Sequence, residues 1–113
     1  MLAKRNRLTH HEFSRCFASG RRSHSDYFTI IHCPNAEFAA AVVVGKKVYK
    51  RAHERNRLRR QLYPVLRAWH QFTTQTGTLI ILVKPSLTKL PQAAVEIELR
   101  AALEKMVKDC KKR

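Results

Sequence analysis

Acidic side chains are scarce in this sequence: 8 Asp and Glu stand against 23 Lys and Arg, which gives a formal net charge of +15. So large an excess of one sign opposes compaction unless a polyanion neutralises it. The two candidate polyanions are a nucleic acid and an anionic membrane surface. A membrane-surface protein would need little more than a basic amphipathic helix, whereas this chain also has the pattern of strands and a mixed core. The charge balance therefore favours nucleic acid over a membrane as the partner.

Long apolar runs and paired cysteines are also missing. No run of about 18 apolar residues could span a bilayer, and the basic start MLAKRNRLTHH lacks the apolar stretch of a secretory signal. The three cysteines, Cys16, Cys33 and Cys110, are far apart and form no C-x-x-C pair. This pattern argues against a disulfide framework and a zinc site, and it predicts reduced thiols in a cytoplasmic protein.

Glycine and proline are few, with three and four residues, while hydrophobic residues make up 44% of the 113. This composition argues against a disordered or low-complexity chain. A chain of this length can bury roughly two thirds of its unfolded surface around one core. We therefore predict a single domain over residues 1–113, ending in a short basic tail over residues 108–113.

The first helix is predicted by its end residues and by its apolar spacing. Thr9 and Glu12 have the S/T-x-x-E spacing of a capping box. Apolar side chains, among them Phe13 and Phe17, then recur three and four residues apart. Gly20 follows where a left-handed residue would end the helix. A helix between Thr9 and Gly20 is therefore expected.

The remaining elements alternate between strand and helix patterns. The first two strands are most simply joined as a hairpin, and a later strand is continuously apolar, which is typical of a central strand. A proline within the second helix predicts a kink or a break near residues 60–63. The predicted elements are strands around residues 26–33, 38–45 and 46–49, a helix over 52–70, a strand over 78–83 and a helix from Pro91. The order α-β-β-β-α-β-α predicts an α+β fold, an α/β sandwich with about four strands and three helices.

Positive charge is concentrated in one segment. Residues 46–60 hold eight Lys and Arg and one acid, whereas residues 68–104 hold three bases and three acids. A basic helix beside a neutral half indicates a docking face, and arginine can grip phosphate oxygens with two hydrogen bonds. A merely solvated helix face is the ordinary alternative, but such faces usually carry acidic partners, which are missing here. Asn56, Arg60, Tyr63 and Arg67 are predicted to point away from the apolar stripe formed by Leu58, Leu62, Val65, Leu66 and Trp69.

No pattern in the sequence predicts catalysis by the protein itself. The six histidines show neither metal-ligand nor acid–base spacing, and there is no Gly-rich phosphate loop. Glu54 is a lone carboxylate among arginines, so we expect it to form a structural ion pair and to be a poor general base. We therefore predict no catalytic residue, no metal ligand and no cofactor bound by the protein alone.

Three aromatic side chains near the N-terminus have two open interpretations. Phe13 and Phe17 could pack a helix onto the sheet, or they could stack on unpaired bases. Tyr27 is predicted to share one face of its strand with Thr29 and Ile31. The pattern alone does not decide between core packing and base stacking.

The segment RAHERNRLRR at residues 51–60, preceded by KK at residues 46–47, closely resembles the protein subunit of bacterial ribonuclease P. The likeness extends to KRNRL at residues 4–8 and to EFSRCFASG at residues 12–20, and so covers most of the chain. It implies a four-stranded α/β sandwich built around an unusual left-handed β-α-β crossover. It also implies a single RNA-binding domain.

The resemblance implies a protein cofactor of an RNA-based endoribonuclease that removes the 5′ leader of precursor tRNA. The RNA would carry the catalytic centre and the Mg²⁺, and the partners would be the RNA subunit and precursor tRNA, with no DNA. Phe13, Phe17 and Tyr27 would belong to a cleft for the leader, although some members have an aromatic residue where this chain has Ile31. The residues implied to contact the RNA subunit are Lys46, Lys47, Arg51, Arg55, Asn56, Arg57, Arg59 and Arg60.

Two alternatives remain open at this point. A ribosomal or other structural RNA-binding protein would have a similar basic face and a similar fold. A protein nuclease would need a histidine or Glu54 as its catalytic group.

Overall fold

The computed structural model describes residues 9–33, 39–71 and 77–111. Three α-helices and four strands follow one another in the predicted order α-β-β-β-α-β-α, which confirms the α+β fold. A short 3-10 helix, Pro85–Lys89, precedes the last α-helix. The elements are α1 His10–Ser19, β1 Arg21–His24, β2 Phe28–Cys33, β3 Ala39–Val43, α2 Ala52–Gln71, β4 Thr78–Val83 and α3 Gln92–Lys111.

The four strands form one mixed sheet in the order β1-β2-β4-β3. Strand β4 pairs antiparallel with β2 and parallel with β3, so the prediction of a central strand at residues 78–83 is confirmed. The predicted hairpin between β2 and β3 is wrong, because β4 lies between them. Since β3 and β4 are parallel neighbours joined through α2, they form a β-α-β unit. The left hand of that crossover stays a prediction.

One strand was missed by the sequence analysis and one was misplaced. Strand β1 spans Arg21–His24 and pairs with β2, although its sequence RRSH has no apolar alternation. The strand predicted around residues 46–49 is wrong. Those residues form a turn, in which the backbone N–H of Val48 donates to the carbonyl of Gly45 at 3.1 Å.

The ends of α1 follow the sequence pattern at the start but not at the finish. The Thr9 side chain accepts from the Glu12 backbone N–H and the Glu12 side chain reaches back, which confirms the capping box. Gly20 has φ −71°, so the predicted left-handed end is wrong. Gly20 is needed for a close approach instead, because a Cβ there would lie 2.6 Å from Cγ2 of Ile31 and 2.7 Å from the carbonyl oxygen of Cys16.

The core has two parts, one on each face of the sheet. Helices α2 and α3 cover one face and bury the larger cluster, while α1 covers the other through Cys16, Ile31 and Ile80. The predicted apolar stripe of α2 lies in or against the larger cluster. The stripe of α3 is buried there as well: Val95, Leu99, Ala102, Leu103 and Met106.

Two predictions about the helices need correction. Helix α2 continues through Pro64, so the break predicted near residues 60–63 is wrong, while the kink stays a prediction. Tyr63 does not point away from the core: it packs against the larger cluster, and its hydroxyl accepts the Val42 backbone N–H at 3.1 Å on the outer edge of β3.

The basic tail predicted over residues 108–113 is helical where it is described. Helix α3 continues to Lys111, because its backbone ladder extends past the last core residue, while residues 112 and 113 lie outside the described part. None of the helices in the described ranges combines the length and the apolar character that a membrane crossing needs.

Candidate nucleic-acid interface

The basic segment occupies the turn after β3 and the first half of α2. Val48 is buried in the larger core cluster and anchors the turn, while its neighbours Lys46 and Lys47 are exposed. Along α2, exposed residues recur three and four positions apart and the leucines face the core. The exposed cations of this segment, which we call the basic ridge, are Lys46, Lys47, Lys50, Arg51, Arg57 and Arg60.

Arg55 differs from the ridge because its guanidinium is used inside the protein. The Nη1 atom donates to the carbonyls of Tyr49 at 3.0 Å and Lys50 at 2.7 Å, in the segment that leads into the helix. The backbone N–H of Arg55 also bonds the carbonyl of Arg51 at the start of the helix. Arg55 therefore connects α2 to the turn that precedes it. The sequence carried no indication of this, since its spacing is the same as that of the other arginines.

Asn56 and Arg59 form a pair on the surface of α2. A guanidinium N–H of Arg59 donates to Oδ1 of Asn56, which holds the asparagine side chain in one orientation. Asn56 is exposed, and with its oxygen engaged, its amide N–H groups are what it offers to a partner. Asn56 and Arg59 each directly precede an exposed ridge residue on α2, Arg57 and Arg60 respectively.

Glu54 does not form the ion pair that the sequence predicted, as far as the described residues extend. Its carboxylate lines a cleft together with Arg57, one turn further along α2. Arg55 contacts backbone carbonyls and Arg59 contacts Asn56 instead.

Phe13 and Phe17 form a stacked pair on α1. Their ring centroids are 5.9 Å apart and the ring planes are inclined by 20°. Phe13 is half-buried and packs against the smaller core cluster, beside which Val43 and Leu82 are also half-buried. Phe17 is 41% exposed, so its ring is open to a partner. Phe13 therefore has a packing role, whereas base stacking by Phe17 stays a prediction.

Arg22 is a residue of this surface that sequence reasoning missed. Its guanidinium carbon lies 4.9 Å from the ring centroid of Phe17, and its Nη2 donates to the carbonyl oxygen of Phe17 at 3.0 Å. A cation over an aromatic face attracts its electrons and holds the ring in place. No pattern could have indicated Arg22, because strand β1 itself has no strand pattern in the sequence.

Tyr27 lies apart from the stacked pair. It packs against the larger core cluster, which belongs to the α2 and α3 face, and its carbonyl accepts the Lys84 backbone N–H at 2.9 Å. Ile31 does lie beneath α1 but is fully buried, so it offers no stacking surface. The structure brings Phe13 and Phe17 together and leaves Tyr27 outside their site.

The thiol and metal chemistry of the described residues is limited. Burial, and then the neighbouring Cys33, raise the pKa of the Cys16 thiol to about 11, so the thiol is protonated at neutral pH and is a poor nucleophile. Within residues 9–33, 39–71 and 77–111, no group of three His, Cys, Asp or Glu side chains could hold a metal ion.

Comparison with known proteins gives consistent matches in sequence and in fold. The family model for Ribonuclease P matches residues 2–107. The ribonuclease P protein component of Microcystis aeruginosa is 32% identical over 87 residues, which span 71% of this chain and 72% of that protein.

Two solved structures share the fold at lower identity. A Staphylococcus aureus RNase P protein, a mutant with defective mRNA degradation activity, is 19% identical, covers 89% of this chain and 87% of its own, and superposes with a TM-score of 0.80. The Thermotoga maritima RNase P protein is also 19% identical, with coverage of 95% and 96% and a TM-score of 0.71.

Proposed function

The chain belongs to the ribonuclease P protein family, as residues 46–60 predicted, and we propose that it binds the RNA subunit of ribonuclease P through its basic ridge. It is thus a protein component of a ribonucleoprotein that processes tRNA. In the proposed complex it promotes endonucleolytic removal of the 5′ leader of precursor tRNA. The observation that carries this proposal is the ridge itself: six exposed cations on one turn and one helix face.

The ridge is suited to a folded RNA because such an RNA presents many phosphates at close spacing. Like charges one turn apart on a helix repel, and a phosphate lattice reverses that repulsion. Arginines supply paired donors to phosphate oxygens, and Asn56 supplies neutral donors to a sugar or a base edge.

We propose that the catalytic centre lies in the RNA. The protein surface described above supplies cations and a stacking ring, which bind and position nucleic acid but do not transfer protons. Neutralising phosphate repulsion would bring the RNA subunit and the substrate together and would favour the binding of Mg²⁺ by the RNA.

The single-stranded leader would bind beside α1. Phe17 offers a partly exposed ring, Phe13 stacks against it, and the Arg22 guanidinium lies 4.9 Å from its centroid and adds a cation. Stacking on an aromatic ring is tolerant of base sequence, so this surface would accept leaders of different sequence.

Affinity for the RNA subunit, measured over a range of salt concentrations, tests the role of the ridge. The logarithm of the binding constant should fall linearly with the logarithm of salt, by about 0.7–0.9 per phosphate contact. Arg60→Ala should reduce that slope by about one contact. The matched control is Arg100→Ala, an exposed arginine on α3 outside the ridge, which should leave the slope unchanged. Equal slopes for wild type and Arg60→Ala would contradict the proposed contact.

Substrate binding tests the α1 surface. Phe17→Ala should weaken binding of leader-bearing precursor more than binding of mature tRNA, whereas Ile97→Ala, which removes an exposed apolar side chain of α3, should affect neither. An equal loss of affinity for precursor and mature tRNA would indicate that Phe17 has only a packing role.

Two simple experiments separate the alternatives. Cleavage of precursor tRNA by the purified protein without any RNA subunit would favour a protein nuclease. Co-sedimentation with ribosomal subunits, without rescue of tRNA processing, would favour a ribosomal protein.

A further inference from the structure

A cleft of about 190 Å³ lies beside the basic ridge, between the first half of α2 and the segment that leads into α3. We call it the α2 cleft. Its floor is apolar and includes Leu58, Leu87 and Val95, all buried. Its α2 side carries Glu54 and Arg57. Arg57 also belongs to the basic ridge, but the leader surface does not include the cleft and the charge argument does not use its apolar floor.

The polar rim of the α2 cleft combines hydrogen-bond acceptors with an arginine donor. Glu54 and Arg57 are three residues apart on α2, so their side chains emerge on the same side of the helix. Gln61 also lines the cleft, and its amide nitrogen donates to the carbonyl of Gln92 at 3.1 Å, which leaves its oxygen as a further acceptor.

A carboxylate at this position excludes phosphate as the occupant, because Glu54 would repel it. A nucleobase fits better: its flat ring can lie on the leucine floor, and its edge can meet the rim. The volume is below the range of about 300–1,000 Å³ for drug-sized ligands, which suits a single ring system. Unpaired bases of RNA are commonly splayed out and bound in this way.

Among the four bases, guanine matches the rim. Its N1–H and N2–H₂ groups are adjacent donors that a carboxylate can accept together, and its O6 and N7 are acceptors that arginine binds with two hydrogen bonds. Adenine, cytosine and uracil lack two adjacent donors on one edge beside such acceptors.

We propose that the α2 cleft receives one unpaired guanine of the RNA subunit, with the Glu54 carboxylate on its N1 and N2 donors and Arg57 toward its O6 and N7. The inference rests on the proposed function, since it names a base contact made by the same bound RNA. It assigns Glu54 a role in specificity that its place among cations would otherwise leave unexplained.

Glu54→Gln tests the proposal, because a role in guanine binding and the absence of such a role predict opposite changes in RNA affinity. If Glu54 only sits among phosphate-binding cations, neutralising it removes a repulsion and strengthens RNA binding. If Glu54 accepts from guanine, the same change weakens RNA binding by about tenfold, which is the effect of losing one good base contact. The salt slope should not change, since no phosphate contact is lost. The matched control, Glu104→Gln, removes an exposed acid of α3 that lies more than two turns beyond the cleft-lining Val95 and should not weaken binding.

Chemical probing identifies the base. Kethoxal adds to N1 and N2 of unpaired guanines, so wild-type protein should protect one guanine of a bacterial ribonuclease P RNA, and Glu54→Gln should restore its reactivity. If Glu54 had only a structural role, Glu54→Gln would lower the thermal midpoint without changing the reactivity of any guanine, so both quantities are measured. If wild-type protein binds the RNA but Glu54→Gln binds as tightly, or no guanine depends on Glu54, the inference is overturned and the proposed function stands. If wild-type protein does not bind the RNA, the proposed function itself fails.

Discussion

Replacing Arg55 by alanine removes the side chain that fastens the basic turn to the start of α2. The two hydrogen bonds from Nη1 reach the carbonyls of Tyr49 and Lys50, which have no place in the helical ladder of α2. Arg55→Ala leaves both carbonyls without this donor. We therefore expect a loss of folding stability as well as weaker RNA binding.

The size of the loss follows from the surroundings of the two bonds. A hydrogen bond to a charged group contributes about 1.5–3 kcal/mol when well protected. The bond to Tyr49 is partly buried and the bond to Lys50 is exposed, so water replaces much of the second. We expect the free energy of unfolding to fall by about 1–2 kcal/mol, which lowers the thermal midpoint by about 4–8 °C in a domain of this size.

Urea denaturation of Arg55→Ala and Arg60→Ala measures this difference directly. Arg60 is exposed on the same helix, and its alanine variant should unfold within about 0.5 kcal/mol of the wild type while losing RNA affinity. If Arg55→Ala unfolds at the wild-type midpoint, the internal bonds contribute nothing and Arg55 is better explained as an RNA contact.

Three further predictions follow from particular contacts. Gly20→Ala should destabilise the fold by about 1–3 kcal/mol in urea denaturation, because the new methyl group meets the buried Ile31 and a backbone oxygen; an unchanged midpoint would show that α1 can shift. Tyr63→Phe should cost about 0.5–1.5 kcal/mol and speed amide exchange at Val42, whose N–H loses its acceptor; unchanged exchange would contradict the bond. Cys16 should resist alkylation at neutral pH until the chain unfolds. Since its pKa is raised from about 9 to about 11, its contribution to stability should be lost as pH rises through that interval, and rapid labelling of native protein would contradict its burial.

Elements that bury a regular apolar stripe could be predicted from the sequence. The spacing of apolar residues predicts the buried stripes of α2 and α3, and the continuous apolar run predicts β4. The capping box predicts the start of α1. Strand β1 could not be predicted this way, because RRSH gains its conformation from pairing with β2 rather than from its own composition. The hairpin was predicted wrongly for a related reason: local pattern does not reveal that β4 inserts between two strands that are consecutive in the chain.

The candidate site was predictable as a segment but not residue by residue. Charge concentration located the ridge, and the motif in residues 51–60 identified the family. The separation of Arg55 from its neighbours depends on where the chain turns before α2, and the position of Arg22 over Phe17 depends on an unpredicted strand. Tyr27 was predicted to share a face with Ile31 because the strand alternation was applied to residue 27, one residue before β2 begins. It lies on the opposite face, against the larger core cluster.

The central position of β4 sets an order of events during synthesis. Strand β3 has β4 as its neighbour in the sheet, and β4 also joins β3 to the β1–β2 pair, yet β4 leaves the ribosome after the whole of the cationic helix. Until residues 78–83 emerge, that helix has no finished sheet to rest on, and the long sequence separation of these pairings slows their formation. A nascent chain stalled before β4 would expose its arginines without the framework that aligns them, so productive assembly with RNA must wait for the last third of the polypeptide.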